Sequence, residues 1–232
     1  MEPCVRYQLR DGIAEIRLDD GKVNALTLDR FEQLAGAFDR AKADRAAVVL
    51  GGRPGVFSAG FDLRVLRAGG AAANETVRAG FELAERILAF PSPVVIACTG
   101  HAIAMGVFLV LAGDYRIGAQ GAFRIGANEV AIGIPMPRFG VEMCRQRLAP
   151  AHFQRAVVLA EMYAPEDAVA AGFLDRAVPA TDVERAAREI AEQLAQLPVD
   201  VHAATKLRAR EHPLAAIRAA IEADAATALM PH

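Results

Sequence analysis

The sequence predicts an α/β fold that continues into a helical tail. Three observations predict it. Short apolar runs alternate with helically spaced segments through the first part of the chain. Asp11-Gly12 separates two alternating runs, which is a strong hairpin signal. Beyond about Pro150 the strand-like runs give way to helical spacing.

Taken in order, residues 5–10 and 13–18 are the two strands flanking Asp11-Gly12. From Thr27, the apolar residues Leu28, Phe31, Leu34 and Phe38 recur at helical spacing, with Thr27 as expected N-cap and Asp29 in the first turn. Residues 47–50 form a short apolar run ending at Gly51-Gly52, as a buried strand would. Residues 68–74 are rich in Gly and Ala without a period and read as a mobile loop. A helix is expected over 76–89, stopped by Pro91 and Pro93. A second buried strand over 94–98 leads through a glycine-interrupted turn to a helix from about Met105. This strand–helix alternation favours an α/β core over a β-sandwich. In the tail, 151–160, 165–171, 182–197 and 199–228 read as helices, the last with a break at Pro213. The boundary falls between 165 and 180, giving a core over 1–175 and a helical region over 176–232. The apolar stripe of Val183, Ala187, Ile190 and Leu194 needs a surface to dock on, in this chain or a neighbouring subunit.

Composition excludes several classes. The 232 residues are 53% hydrophobic and 23% charged, enough for a packed core, and the net charge of −2 argues against a general nucleic-acid binder. The N-terminus lacks the pattern of a signal peptide. The most apolar stretch, 94–111, is interrupted by Thr99, Gly100, His101 and Gly106, so it reads as core and not as a membrane span. Cys4, Cys98 and Cys144 form no C-x-x-C and suit free thiols in a reducing, cytoplasmic setting. There is no dinucleotide or P-loop glycine motif, and the five histidines have no metal-ligand spacing. Ser58 lacks the Gly two residues earlier that a nucleophile elbow requires, since Val56 stands there.

Two glycine-containing turns remain, 55–63 and 100–106, each following an apolar strand. Either could aim backbone N–H groups at a common point, and the second opens a helix whose first N–H groups have no intrahelical partner. Read alone, they are first of all ordinary turns with glycines for positive φ.

In order and spacing, G-V-F-S-A-G-F-D-L at 55–63, G-H-A-I-A-M-G at 100–106, G-D-Y-R-I at 113–117, I-G-A-N-E at 125–129 and G-I-P at 133–135 resemble the enoyl-CoA hydratase/isomerase (crotonase) superfamily. Asn24-Ala25-Leu26 resembles its N-A-L element, and Glu166, Ala168 and residues 171–175 its E-A-x-x-x-G-L-V/I-D element. The resemblance implies a ββα superhelix and an acyl-CoA thioester substrate. CoA then arrives as part of the substrate, so no separate cofactor is implied, and neither nucleic acid nor membrane is a partner. It also implies an oxyanion hole made by the backbone N–H groups of Phe61 and Met105, and Glu129 as acid/base. Ala59, Asp62 and Leu63 become candidate CoA contacts, and Phe108 and Asn128 candidate acyl-pocket residues. Arg53, Arg64 and Arg67 are candidate phosphate partners, although each reads first as a solvated surface residue. Lys206 could reach a phosphate across a subunit contact, whereas Asp114 reads as a structural anchor. Apolar residues 130–132 are expected to bury Glu129 and raise its pKa.

The family's hydratases use a second glutamate where this chain has Phe108, which cannot hold or activate water. One glutamate is the pattern of the family's Δ3,Δ2-enoyl-CoA isomerases, which ranks isomerase first. A hydratase or other crotonase reaction comes second, and a non-catalytic acyl-CoA binding module third. Two departures bear on this. Residues 134–139, I-P-M-P-R-F, replace the usual glycine-rich element, and the tail ends at His232, shorter than is usual. That tail normally helps form a homotrimer or dimer of trimers and close the CoA site.

Overall fold

The computed structural model describes residues 4–226. Strands β1 (Val5–Arg10) and β2 (Ile13–Leu18) form an antiparallel hairpin. Asp11 and Gly12 both have positive φ, 51° and 76°, as a tight two-residue hairpin turn demands. Helix α1 (Leu28–Ala43) follows, burying Phe31, Leu34, Ala37 and Phe38 along one face. Thr27 is extended before it but makes no side-chain capping bond, contrary to expectation.

From here the chain repeats a ββα unit. Strands β3 (Ala47–Gly51) and β4 (Gly55–Ser58) precede helices α2 (Leu63–Ala68) and α3 (Gly70–Leu88). Strands β5 (Val94–Cys98) and β6 (Gly100–Ile103) precede α4 (Met105–Ala112), and β7 (Tyr115–Ala119) and β8 (Ile125–Gly126) precede α5 (Arg138–Arg145). The first strand of each unit joins one sheet and the second joins another. With a last strand β9 (Arg176–Val178), the result is a six-stranded sheet ordered β1-β2-β3-β5-β7-β9 and a three-stranded sheet ordered β4-β6-β8. Apart from the hairpin, all strand pairs are parallel. The units therefore wind as a ββα superhelix, as expected. Strand β9 (Arg176–Val178) pairs with β7, so these three residues belong to the sheet and not to the helical tail.

Residues 70–74 are the start of α3 and not a loop. Ala71, Ala72 and Ala73 have the highest helix propensity of any residue type, and the break falls instead at Gly69, with φ of 65°. Helices α6 (Pro150–Val157) and α7 (Pro165–Ala171) lead to β9, followed by α8 (Val183–Leu194), α9 (Val199–Ala209) and α10 (Glu211–Ala225). The last break lies at Arg210. Pro213 sits in the first turn of α10, where its missing N–H is not needed. The tail docks on its own chain: α8 covers β3, β5 and β7, and α10 packs on α3 and α5. Residues 227 and 228, expected to end the last helix, lie outside the described residues. Among the described residues no helix is long and apolar enough to cross a membrane.

The D-Y-R-I element is an anchor. Asp114 accepts a hydrogen bond from Val94 N–H (2.7 Å) and pairs with Lys206 (2.6 Å) and Arg210 (2.8 Å). Lys206 also donates to the carbonyls of Phe90 and Ser92. It is buried and committed to its own chain, which corrects the expectation that it reaches a phosphate elsewhere. Arg116 forks onto Asp175 and donates to Gly172 O, tying the sheet to the G-F-L-D segment.

Removing one partner of a buried ion group leaves the others unpaired. Asp114→Ala is expected to destabilise the fold by about 3–5 kcal/mol in urea titration. Arg67→Ala on the exposed surface should stay within about 0.5 kcal/mol.

Candidate active site

The three-stranded sheet builds the site. Because β4, β6 and β8 run parallel, their C-terminal ends lie side by side. Phe61 follows β4, Met105 follows β6 and Glu129 follows β8, so residues far apart in sequence are delivered to one edge.

The first turn is held by the N-A-L segment. Asn24 is fully buried with φ of 53°. Its side-chain N–H groups donate to Leu18 O and Phe57 O. Ser58 Oγ donates to Asn24 O and accepts from Gly60 N–H. Leu26 N–H donates to Gly60 O, and Asp62 N–H donates to Leu26 O. In a parallel bridge of this kind the residue between those two bonds turns its own N–H to the opposite side. Phe61 is that residue, and among the described residues its N–H has no hydrogen-bond acceptor.

Met105 is the first residue of α4, and its N–H likewise has no acceptor among the described residues. Ala104 before it has φ of 52° and ψ of −126°, a costly conformation for a residue with a Cβ. Ala104 N–H donates to Gly126 O, which ties the start of α4 to the end of β8. The two turns touch. A Cβ on Gly60, itself at φ of 85°, would lie 2.9 Å from Ile103 O and 3.2 Å from Met105 N, and one on Gly106 would lie 2.5 Å from Ser58 O. Helix α4 is buried along its whole length, with its positive end at this junction.

Glu129 is 7% exposed, and its Oε2 has no hydrogen-bond partner. Ile132 N–H and Ile134 N–H both donate to its backbone carbonyl, which fixes the turn. Burial pushes its carboxyl up from 4.5 to about 7. The sequence anticipated the burial but not its cause. Of the 130–132 stretch only Ile132 lines the cavity, at 46% exposure, while Val130, 43% exposed, does not. Most of the enclosure comes from Phe81, Phe108, Ile134 and Pro137, which line the same cavity.

That cavity also takes in Ala59, Phe61, Leu63 and Asn128, and Glu129 is its one titratable residue among the described ones. Met105 is fully buried, its side chain filling core space. Asp62 does not line the cavity. Its carboxylate caps α2 through Arg64 N–H and forks onto the Arg64 side chain, which keeps it well below the usual carboxylate range. Arg53 donates to Lys22 O and pairs with Asp19, while Arg67 is exposed. Sequence reasoning missed Ala104, Val77 and Phe81 as cavity residues. An alanine at positive φ leaves no trace in composition, and a helix-borne phenylalanine reads as ordinary core.

A family model for enoyl-CoA hydratase/isomerase matches residues 8–228. The chain belongs to that family. A probable enoyl-CoA hydratase of Rhodobacter capsulatus is 33% identical over 204 residues, covering 87% of this chain and 79% of that protein. An enoyl-CoA hydratase/isomerase family protein from Pseudomonas syringae superposes with a TM-score of 0.95 at 45% identity, covering 97% of this chain and 98% of its own. The human mitochondrial delta3-delta2-enoyl-CoA isomerase gives a TM-score of 0.92 at 26% identity, covering 98% and 91%. The fold is thus that of the crotonase superfamily, and the family acts on acyl-CoA thioesters.

Two measurements check the site. Gly60→Ala forces a Cβ into the opposing turn at positive φ and should cost at least about 1–3 kcal/mol of stability by chemical denaturation. Glu129 gives a pH signature. Below 4.5 it is protonated folded or unfolded, and its burial costs nothing extra. Between 4.5 and about 7 only the unfolded chain ionises, so native stability falls as pH rises, by about 3 kcal/mol in all. That pH-dependent loss should disappear in Glu129→Gln.

Proposed function

We propose that this protein is a Δ3,Δ2-enoyl-CoA isomerase that shifts the double bond of a 3-enoyl-CoA thioester to the 2-position. One observation carries the reading: a single buried carboxylate, Glu129, lines an otherwise apolar cavity, and Phe108 stands where the family's hydratases use a second glutamate. Water addition needs a group to activate the water, and a phenyl ring has no such capacity. Proton transfer between two carbons of one substrate needs only one carboxylate.

In the proposed mechanism Glu129 removes a proton from C2. The C2–H electrons form a dienolate, and the thioester oxygen takes up negative charge. The N–H groups of Phe61 and Met105 receive that charge, each such donor being worth about 2.7–4 kcal/mol at the transition state. The positive end of α4 adds to the same field. Protonated Glu129 returns the proton at C4, the double bond settles between C2 and C3, and the carboxylate is regenerated. A pKa of about 7 suits a group that must both take and give a proton near neutrality. The thioester carries its own CoA, so the reading requires no separate cofactor. Ala59 and Leu63 at the cavity edge are the proposed backbone contacts to the CoA nucleotide, with Asp62 between them, and Arg67 is a proposed phosphate partner. Asn128 is proposed to orient the acyl group or Glu129. The homotrimer or dimer of trimers implied by the resemblance belongs to the same proposal.

Hydratase is the second reading, favoured by the name of the Rhodobacter capsulatus relative. The product distinguishes the two. Isomerase requires 3-enoyl-CoA to become 2-enoyl-CoA without water uptake, and hydration of crotonyl-CoA as the main turnover would sink it. In D₂O, wild type should exchange the C2 proton, and Glu129→Gln should lose exchange while binding acyl-CoA within a few-fold. The rate kcat/KM should rise through pH about 7, where the base loses its proton. Full exchange in the Gln variant would remove Glu129 from the mechanism.

A further inference from the structure

The catalytic cavity has a graded wall. Its mouth is marked by Leu63 and Ile132, 40% and 46% exposed. Its inner end is marked by Phe81 and Phe108, each 1% exposed. The cavity volume is about 90 Å³, smaller than the roughly 150 Å³ apolar cavity that houses a benzene ring. Little room therefore remains beyond the carboxylate for an acyl tail.

Next to the catalytic cavity lies a second space of about 230 Å³ between α3 and α10, a groove rimmed by the exposed Asn74, Glu75 and Arg78 of α3. The two cavities share two wall residues, Val77 and Phe81. On its far side the second cavity is lined by Ile221, Asp224 and Ala225 of α10. Phe81 is held firmly between them. Its ring stacks on Phe139 with centroids 4.1 Å apart and planes 16° from parallel, and it meets the edge of Phe61 at 6.0 Å. Phe139 is itself pinned from the far side, because its backbone N–H donates to buried Asp224 Oδ2 at 2.9 Å. The stack is thus braced by the helix that forms the outer wall, and it does not behave as a loose flap.

We propose that Phe81 is the chain-length determinant of this enzyme: it closes the acyl cavity, restricts the substrate to short-chain 3-enoyl thioesters, and separates that cavity from the charge-rimmed groove that a longer tail would have to enter. The inference rests on the acyl-CoA reading of the site, and its test does not depend on turnover. Shortening Phe81 joins the two spaces. Filling the outer space from α10 leaves short substrates unaffected, because they never enter it.

The experiment measures binding of butanoyl-, hexanoyl- and decanoyl-CoA by calorimetry, alongside turnover of the matching 3-enoyl thioesters. Wild type should bind the decanoyl ester at least about tenfold more weakly than the shorter two, although each extra buried methylene would otherwise tighten binding. Phe81→Leu should recover about tenfold or more for the decanoyl ester with little change for butanoyl. Ala225→Trp alone should change nothing, and added to Phe81→Leu it should abolish the gain. A wild type that binds all three esters with steadily rising affinity overturns the inference. So does loss of decanoyl binding in Ala225→Trp alone, since the wall would then already be open. These last two readings stand even where Phe81→Leu fails to fold. Short-chain binding without isomerisation would refute the isomerase reading and leave the Phe81 inference intact.

Discussion

Two chain turns at the ends of β4 and β6 approach so closely that neither has room for a side chain at the junction. At Gly60 and Gly106 a single added carbon would run into the opposing backbone. This contact decides where the amides of Phe61 and Met105 lie, how α4 starts, and which edge of the small sheet Glu129 reaches from β8. It is reinforced on both sides. Asn24 and Ser58 stitch the first turn to the N-terminal loop, and Ala104 N–H ties the second to Gly126 O. A parallel sheet of three short strands is thus sufficient to gather groups from three separate ββα units.

Glu129 shows the opposing demand. A carboxylate with one unpartnered oxygen in an apolar cavity destabilises the folded state at neutral pH by about 3 kcal/mol. The surrounding fold tolerates that cost because its other buried charges are well satisfied. Asp114 engages two cations and a backbone N–H, and Arg116 engages both Asp175 oxygens and a carbonyl. The contrast separates structural from chemical charge within one chain. Groups that hold the fold are saturated with partners, and the group with reactive potential is left short of one.

The aromatic cluster performs two tasks with the same atoms. Phe61, Phe81, Phe108 and Phe139 bury α3, α4 and α5 against one another, and the first three also line the cavity that holds the carboxylate. Gly140 faces the Phe108 ring so closely that a Cβ would lie 2.7 Å from it, which is how so large a residue fits at that position. Packing and cavity shape cannot be varied independently here.

The sequence alone determined the α/β class, the Asp11-Gly12 hairpin and the family, because these depend on local chemistry: turn residues, periodicity and ordered short motifs. It also singled out Glu129 and the two turns, since those motifs carry their own residue types. It misassigned residues 70–74, where alanine helix propensity outweighed the look of a loop. It also gave Lys206 an external role, because a lysine's burial is invisible without its distant partners at Asp114, Phe90 and Ser92. Only the tertiary structure decided the rest. It placed β9 in the sheet, docked α8 and α10 on the core, brought Phe81 of α3 and Phe108 of α4 to the walls around Glu129, and set Phe81 between two cavities. Each of these is a contact between residues tens of positions apart, and such contacts are fixed by how whole elements pack and not by any property readable in a short window of sequence.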